Sequence, residues 1–527
     1  MYYVGIDFGT TNSSIAVIDN ETGEVRVIEL EGGYSPGRQL LRTVLYFNPD
    51  GSVEAEETSA YNDSLRGIIS LKRHLMKDIH YSRTINEKTY SSDELVGLFL
   101  TDLLRRAQLN ASDISRLVLS VPTHYNEELK SLMERACKRL GISSDVIWFI
   151  DEPIAVLWDY KDRFIREETM LVFDFGGGTL DLAVMNKSEN ANGVETAASI
   201  LKQWNNGSTD NYSRGKILVK KGIVVGGDDI DMIIIKFIIE EGKKQGNPVC
   251  QALDLAIFDD EKRIENLKQN EIYPLLKKTA ERIKIALSEV EEYSTSMPPL
   301  LPKHDRVGIR SIKLTRREFV SRCQPLWDYI EQGLLQMNQE MKKNGESGFE
   351  RIETVLLSGG SSLIPHVHDI LEKLLPNAKL GMEKQYLQTA ICRGNARYSY
   401  NDGEILVDDS VNAAYGIYNH HDKETVTVIQ ESDTYPIEVK KRIATMRPHQ
   451  DQIEIIPMAR KGGKYEPLTK ANGSVYYRMK IRPSSRCRDL SRISVTFQID
   501  KAQKLKISAY DNLFKEMIGV EEVDLEA

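Results

Sequence analysis

Phe173-Asp174-Phe175-Gly176-Gly177-Gly178-Thr179-Leu180-Asp181-Leu182-Ala183-Val184 is the stretch on which the reading of this chain turns. The apolar run Met170-Leu171-Val172-Phe173 reads as a buried strand, and Leu182-Ala183-Val184 as its return. Three consecutive glycines between them permit positive φ and let backbone N–H groups come close to a ligand. Concavities lined by backbone amides suit phosphate. Asp174 before the turn and Asp181 after it are placed to hold Mg²⁺ or to orient a water, and Thr179 adds a hydroxyl. Taken alone, the segment also fits a glycine-rich surface hairpin.

The N-terminus repeats the design. Val4-Gly5-Ile6-Asp7-Phe8-Gly9-Thr10-Thr11-Asn12-Ser13-Ser14-Ile15-Ala16-Val17 is a second strand–turn–strand, again opening Asp-Phe-Gly and again with Thr in the turn. Two such hairpins point to an internal duplication that clamps a nucleotide's phosphate tail between similar halves. Neither is a Walker loop, since no Gly-x-x-x-x-Gly-Lys-Ser/Thr is present. Neither is a dinucleotide fingerprint, because each turn returns into a strand instead of opening a helix.

The 527 residues are 41% hydrophobic and 28% charged, enough for three or four units at roughly 150 residues each. A net charge of −9 argues against nucleic acid as the main partner. The five cysteines are scattered, without Cys-x-x-Cys, and read as reduced thiols of a cytoplasmic protein. The first strand starts at the initiator Met, leaving no room for a signal peptide, and Ile230 to Ile239 is too short and too charged to span a bilayer. His366/His368 and His420/His421 read as surface residues.

Further along, Glu24 to Leu30 and Thr43 to Phe47 read as strands, and Lys72 sits in a mixed apolar and basic stretch where by itself it reads as solvated. Val146 to Ile150 is a strand leading into Asp151-Glu152-Pro153, with Asp151 a candidate N-cap. Glu152 then stands at a strand-to-helix junction, as either a functional carboxylate or a simple capping one. Gly226-Gly227-Asp228-Asp229-Ile230-Asp231 opens a helix whose acids suit its dipole. In the helix Glu271 to Tyr293, Glu281, Lys284, Ile285 and Ser288 share one face; they read either as a ribose- and purine-binding set or as an ordinary ion pair at i,i+3. Val355 to Ser358 followed by Gly359-Gly360 is another strand end where backbone can approach a ligand, before the helix Ile364 to Leu375. Beyond residue 404 the periodicity becomes two, and a separate β domain, sandwich-like, is expected.

These motifs, in this order, resemble the seventy-kilodalton heat-shock chaperones, the DnaK family, within the actin/hexokinase ATPase superfamily. The resemblance covers residues 1 to about 400 and continues more faintly to the end. It implies an α/β fold: a duplicated actin-like ATPase of two lobes (1–403), a linker (404–412) and a mostly β substrate-binding-like domain (413–527). It implies ATP/ADP and Mg²⁺ as cofactors. Residue by residue, Gly9, Thr10, Thr11 and Asn12, with Gly176, Gly177, Gly178, Gly226 and Gly227, would cradle the phosphates. Asp7 and Asp174 would hold Mg²⁺ through its water shell. Lys72, Glu152, Thr179 and Asp181 would serve the attacking water and the γ-phosphate. Glu281, Lys284, Ile285, Ser288, Gly359, Gly360 and Leu363 would bind the nucleoside.

Some positions depart from the family pattern. Leu363 stands where the family has Arg, so the purine would lie between Ile285 and Leu363 without a cation. Trp148 replaces a basic residue, Asp151 an Asn, Lys130 an Arg, and Asp408 an apolar linker residue, all at positions tied to J-domain docking or interdomain coupling. No long helical segment follows the β domain, so a lidless member is expected. The implied function is slow, partner-regulated ATP hydrolysis that modulates binding of unfolded or specific protein clients. A J-domain co-chaperone and an exchange factor are the implied helpers, with no nucleic-acid or membrane role. The rival readings are a small-molecule kinase of the same superfamily, an actin-like filament protein, or an ATPase with a dedicated non-chaperone partner.

Overall fold

The computed structural model describes the chain except residues 21, 35–36, 49–51, 55–66, 124–126, 161–168, 188–214, 302–307, 344–345, 382–383, 385, 402–406, 409–413, 420–423, 431–432, 434–436, 444–447, 462–463, 469–476, 486–491, 500–504 and 523–527. His420/His421 and most of the expected 404–412 linker therefore lie outside the described residues.

The duplication is visible in two sheets with the same plan. In the first, the order is Ile147–Asp151, Ile114–Val121, Tyr2–Phe8, Asn12–Asp19, Val25–Val27. In the second it is Lys379–Gly381, Thr354–Ser358, Thr169–Phe175, Leu180–Lys187, Gly215–Ile223. Each sheet pairs its first three strands in parallel and its remaining strands antiparallel. The two glycine hairpins occupy the same place in each, closing with Phe8 opposite Ser13 and Phe175 opposite Leu180. Their strands are largely buried, with apolar runs such as Ile15 to Ile18 and Met170 to Phe173, as sheets covered on both faces require.

Each half also sends a helix from its outer parallel strands across to the other. Glu152–Tyr160 and Ala390–Tyr400 cross where Gly394 lies against Ala155; a Cβ on Gly394 would fall 1.7 Å from the Ala155 carbonyl oxygen. Gly5 provides the second close approach, since a Cβ there would stand 2.2 Å from the Ala396 nitrogen. Main chain packs on main chain at both points, which only glycine permits.

The β region that follows has four-stranded sheets ordered Glu424–Ile429, Tyr415–Asn419, Pro457–Lys461, Lys464–Pro467 and Ile437–Ile443, Ile493–Ile499, Leu505–Asp511, Glu516–Glu522, with a two-stranded pair between Gln452–Ile455 and Tyr477–Lys480. One apolar core, including Ile429, Ile455, Val495, Phe497 and Ile507, unites them. Of the linker stretch, Val407–Asp408 adds a short parallel strand to Gly215–Ile223 at the edge of the second sheet.

Helix bounds shift modestly from expectation. The Glu271 to Tyr293 segment is helical over Tyr273–Glu289, and Tyr293 belongs to the strand Glu292–Met297. Of Glu24 to Leu30, only Val25–Val27 pairs as a strand. Cys137, Cys250, Cys323 and Cys392 are buried free thiols. Among the described residues no helix is long and apolar enough to cross a membrane, and no group of three or more His, Cys, Asp or Glu side chains is arranged to hold a metal ion by itself.

Candidate active site

The two hairpin turns face one another across a cleft of about 140 Å³. Asp7, Gly9, Thr10, Thr11 and Asn12 line it from the first lobe, and Asp174, Gly176, Gly177, Gly178 and Thr179 from the second. The turns are in direct contact: a Cβ on Gly177 would meet Thr11 Oγ1 at 2.0 Å, and one on Gly178 would meet Thr10 Oγ1 at 2.5 Å. The glycines thus serve approach and not merely conformation.

The second turn is held from behind. The Gly227 and Asp228 N–H groups, at the start of the Gly227–Lys244 helix, donate to the Gly176 and Gly177 carbonyls at 3.0 and 2.8 Å. The Ser361 hydroxyl donates to Gly176 O at 2.9 Å. Gly226 and Gly227 therefore support the turn and do not line the cavity. Gly359, at φ 77, backs Asp174: a Cβ there would come within 2.3 Å of the Phe175 oxygen and 2.9 Å of Asp174 Oδ1.

The reading of Lys72 as solvated is corrected by the structure. Lys72 lies in the helix Leu71–Lys77, is 4% exposed, and its Nζ donates to Glu152 Oε1 at 2.6 Å. The partner comes from the other end of the first sheet, which local sequence does not reveal. Burial opposes the Lys72 charge, yet Glu152, Asp7 and Asp181 hold its ammonium above the usual lysine range. Burial raises the Glu152 carboxyl to about 7, against the pull of Lys72. Asp7 rises to about 7 by burial and the nearby Glu152 charge, and Asp174 rises well above the carboxylate range by burial and the charges of Glu152, Asp181 and Asp7. Burial and mutual repulsion disfavour the charged forms of Asp7, Glu152, Asp174 and Asp181, so a cation bound among them would be stabilised. Asp174 Oδ1 is buried with no hydrogen-bond partner, and Asp7 stands across the cleft from it. The donor set fits a hard, oxygen-bound cation such as Mg²⁺.

Asp181 is fully buried and accepts the Thr123 N–H at 2.8 Å, tying the second hairpin to the end of the first lobe's Ile114–Val121 strand. The expected N-cap role of Asp151 is not realised. Its Oδ2 accepts from Lys220 Nζ at 2.8 Å, while Oδ1 is buried without a partner.

On the nucleoside side, Glu281, Lys284 and the 55%-exposed Ile285 line the cleft with Gly359 and Gly360. The ion pair at i,i+3 does not form. Glu281 pairs with Arg42 at 2.5 Å and Lys284 with Asp231 at 2.9 Å. Arg42 belongs to the first lobe, so its pair with Glu281 closes the cleft mouth. Ser288 and Leu363 stand outside the lining: the Ser288 hydroxyl donates to Lys284 O at 3.1 Å, and Leu363 packs onto the second lobe's core.

Sequence reasoning missed Ser358, Ser361, Leu387, Gln388 and Ile391, which complete the lining; Ser358 and Ser361 flank the Gly359-Gly360 turn, a motif that could have signalled them. It also missed the buried Lys277, which binds Asp228 at 2.5 Å and Asp231 at 2.6 Å and so fixes the start of the Gly227–Lys244 helix. Ser70, in a left-handed conformation at φ 56, donates to Asp228 Oδ2 at 2.8 Å and joins that anchor to the Lys72 helix. A larger cavity of about 400 Å³ lies beside this junction. Its walls are already ion-paired, Arg73 with Asp229 and Lys77 with Glu265, and it holds none of the cleft's carboxylate cluster.

Comparison with known proteins agrees with this geometry. The family model described as Hsp70 protein matches residues 55–199 and 220–522. The chain therefore belongs to the Hsp70 family, whose members are ATP-binding chaperones. Among its relatives is the chaperone protein DnaK of Thermosipho melanesiensis, 27% identical over 533 aligned positions that cover 97% of this chain and 78% of that one. The first glycine hairpin lies before the matched ranges, so its assignment to the cleft rests on the geometry above.

Proposed function

We propose that this chain binds Mg-ATP between its lobes (1–403), hydrolyses it slowly to ADP and phosphate, and uses the nucleotide state to set protein binding by its β domain (413–527) through the linker at 404–412. The observation that carries this reading is the buried Lys72–Glu152 pair, set among Asp7, Asp174 and the two glycine turns in one cleft. Phosphoryl transfer needs positioning and charge neutralisation more than covalent help.

In this reading the amides of Gly9 to Asn12 and Gly176 to Thr179 hold the β- and γ-phosphates. Asp7 and Asp174 would hold Mg²⁺, which when bound would neutralise phosphate charge. Glu152, with a carboxyl near 7, accepts the proton of a water directed in line at the γ-phosphate. Lys72 keeps Glu152 in place and offers its remaining N–H donors to the phosphate oxygens. Thr179 and Asp181 orient the water. Glu281, Lys284 and Ile285 flank the nucleoside, and Arg42 closes over it. Clients are peptide or protein segments, with a J-domain protein and an exchange factor as helpers.

Phosphate release from full-length protein and Mg-ATP, without any acceptor, tests the reaction; ADP formed without free phosphate, and only with an added small molecule, would make the chain a kinase. Lys72→Ala should lower kcat by roughly 100-fold or more. Anisotropy of a fluorescent apolar peptide, with ADP and then ATP, tests the coupling. Binding that ATP weakens supports it, and binding indifferent to nucleotide removes it.

A further inference from the structure

Glu152 is preceded by a second buried carboxylate with its own lysine. Asp151 is 0% exposed, and Lys220, 8% exposed, donates to it at 2.8 Å. Asp151 ends the Ile147–Asp151 strand of the first lobe, while Lys220 belongs to Gly215–Ile223 of the second. The pair therefore crosses between lobes at the floor of the cleft. It runs alongside the bond from Thr123 N–H to Asp181, whose strand is the neighbour of Gly215–Ile223. The other neighbour of Gly215–Ile223 is Val407–Asp408 of the linker, paired at Gly215 and Lys216.

Two adjacent carboxylates, each neutralised from a different element, fix both ends of one short segment. Lys72 holds Glu152 and Lys220 holds Asp151. Removing one member of a buried pair leaves the other charge uncompensated, and the main chain beside it must shift or admit water. Displacement of about 1 Å next to a reacting group is enough to slow a reaction strongly.

We propose that Lys220 is a positioning residue for Glu152: by neutralising the buried Asp151, it keeps the first turn of the Glu152–Tyr160 helix in place beside the strand that also carries the linker. It acts through Asp151 and touches no reacting atom. The inference rests on the proposed role of Glu152 in hydrolysis.

The test uses the full chain as Lys220→Met, Asp151→Asn and the double variant, which removes both charges and keeps the shapes. Phosphate release gives kcat and KM, and amide hydrogen exchange is followed over residues 150–156. Lys220→Met should lower kcat about tenfold with KM for Mg-ATP within about twofold, and should speed exchange in the first helical turn. The double variant should recover most of both. Wild-type kcat and exchange in Lys220→Met overturn the proposal. So does a lowered melting temperature with kcat unchanged, or a loss that the double variant does not restore. Should the wild-type chain release no phosphate, the ATPase reading falls on its own. Exchange still decides this one: faster in Lys220→Met and restored in the double variant supports it, and indifference overturns it.

Discussion

Gly226→Ala probes how the second phosphate turn is held. Gly226 has φ −157, an extended conformation open to any residue, so backbone strain has no part in the outcome. The effect is steric. A Cβ would lie 2.3 Å from the Gly177 oxygen and 2.5 Å from the Gly178 nitrogen. Both are main-chain atoms that cannot rotate away, so the turn must retreat by roughly 1 Å to reach ordinary contact. That retreat strains the Gly227 and Asp228 N–H bonds to the Gly176 and Gly177 carbonyls. Overpacking of this kind costs about 1–3 kcal/mol of stability. Moving the cradle by the same distance should lower kcat about 100-fold. Urea denaturation and phosphate release, measured on the same preparations, separate the two effects. A Gly226→Ala protein with wild-type kcat would show that the turn's position does not set catalysis, and the reasoning would fail.

Other outcomes follow from the ion pairs and carboxyls. Lys277→Met leaves Asp228 and Asp231 without their shared ammonium and should cost about 3–5 kcal/mol at neutral pH by urea denaturation. Although burial opposes it, Lys277 and Arg73 hold Asp228 well below the carboxylate range, so that stabilisation is fully present above the unfolded aspartate value of 3.8; the penalty should shrink only as pH falls below that value toward the depressed folded one. Asp7 shifts the other way. Its folded carboxyl, near 7, lies above its unfolded value of 3.8, so the nucleotide-free protein should lose stability as pH rises across that window, by at most about 1.4 kcal/mol per pH unit. Saturating Mg-ADP should flatten that slope, and an unchanged slope would count against a cation at Asp7. Arg42→Ala, by freeing Glu281 at the cleft mouth, should speed release of a fluorescent ADP about tenfold in stopped flow; wild-type release would deny the pair its closing role.

Much of this architecture is written locally. The Asp-Phe-Gly turns, with apolar runs on both sides, specify strand, turn and return within about twenty residues, and their repetition announces the duplicated sheets. The period-two pattern after residue 404 likewise foretells Ile493–Ile499 and Leu505–Asp511. What stayed hidden depends on pairs far apart in the chain. Lys72 looks solvated beside its neighbours, and only Glu152, eighty positions away, explains its burial. Glu281 and Lys284 look like partners at helical spacing, yet Arg42 and Asp231 claim them. The same held for Asp151, whose cap signature yields to a lysine from the other lobe. Spacing along a helix states which side chains share a face, and the tertiary structure decides what they meet there.

The linker's short strand has a consequence for solubility. Val407–Asp408 covers only one end of Gly215–Ile223, and whenever it departs, that strand becomes a sheet edge with unpaired main-chain groups. An edge that is intermittently bare can recruit a foreign strand and seed aggregation. Lys221 of this strand carries its ammonium to an exposed contact with Gln336, and lysines are among the commonest means by which an edge repels unwanted company. Were the linker strand to leave, the bared edge would carry its own guard against a foreign strand.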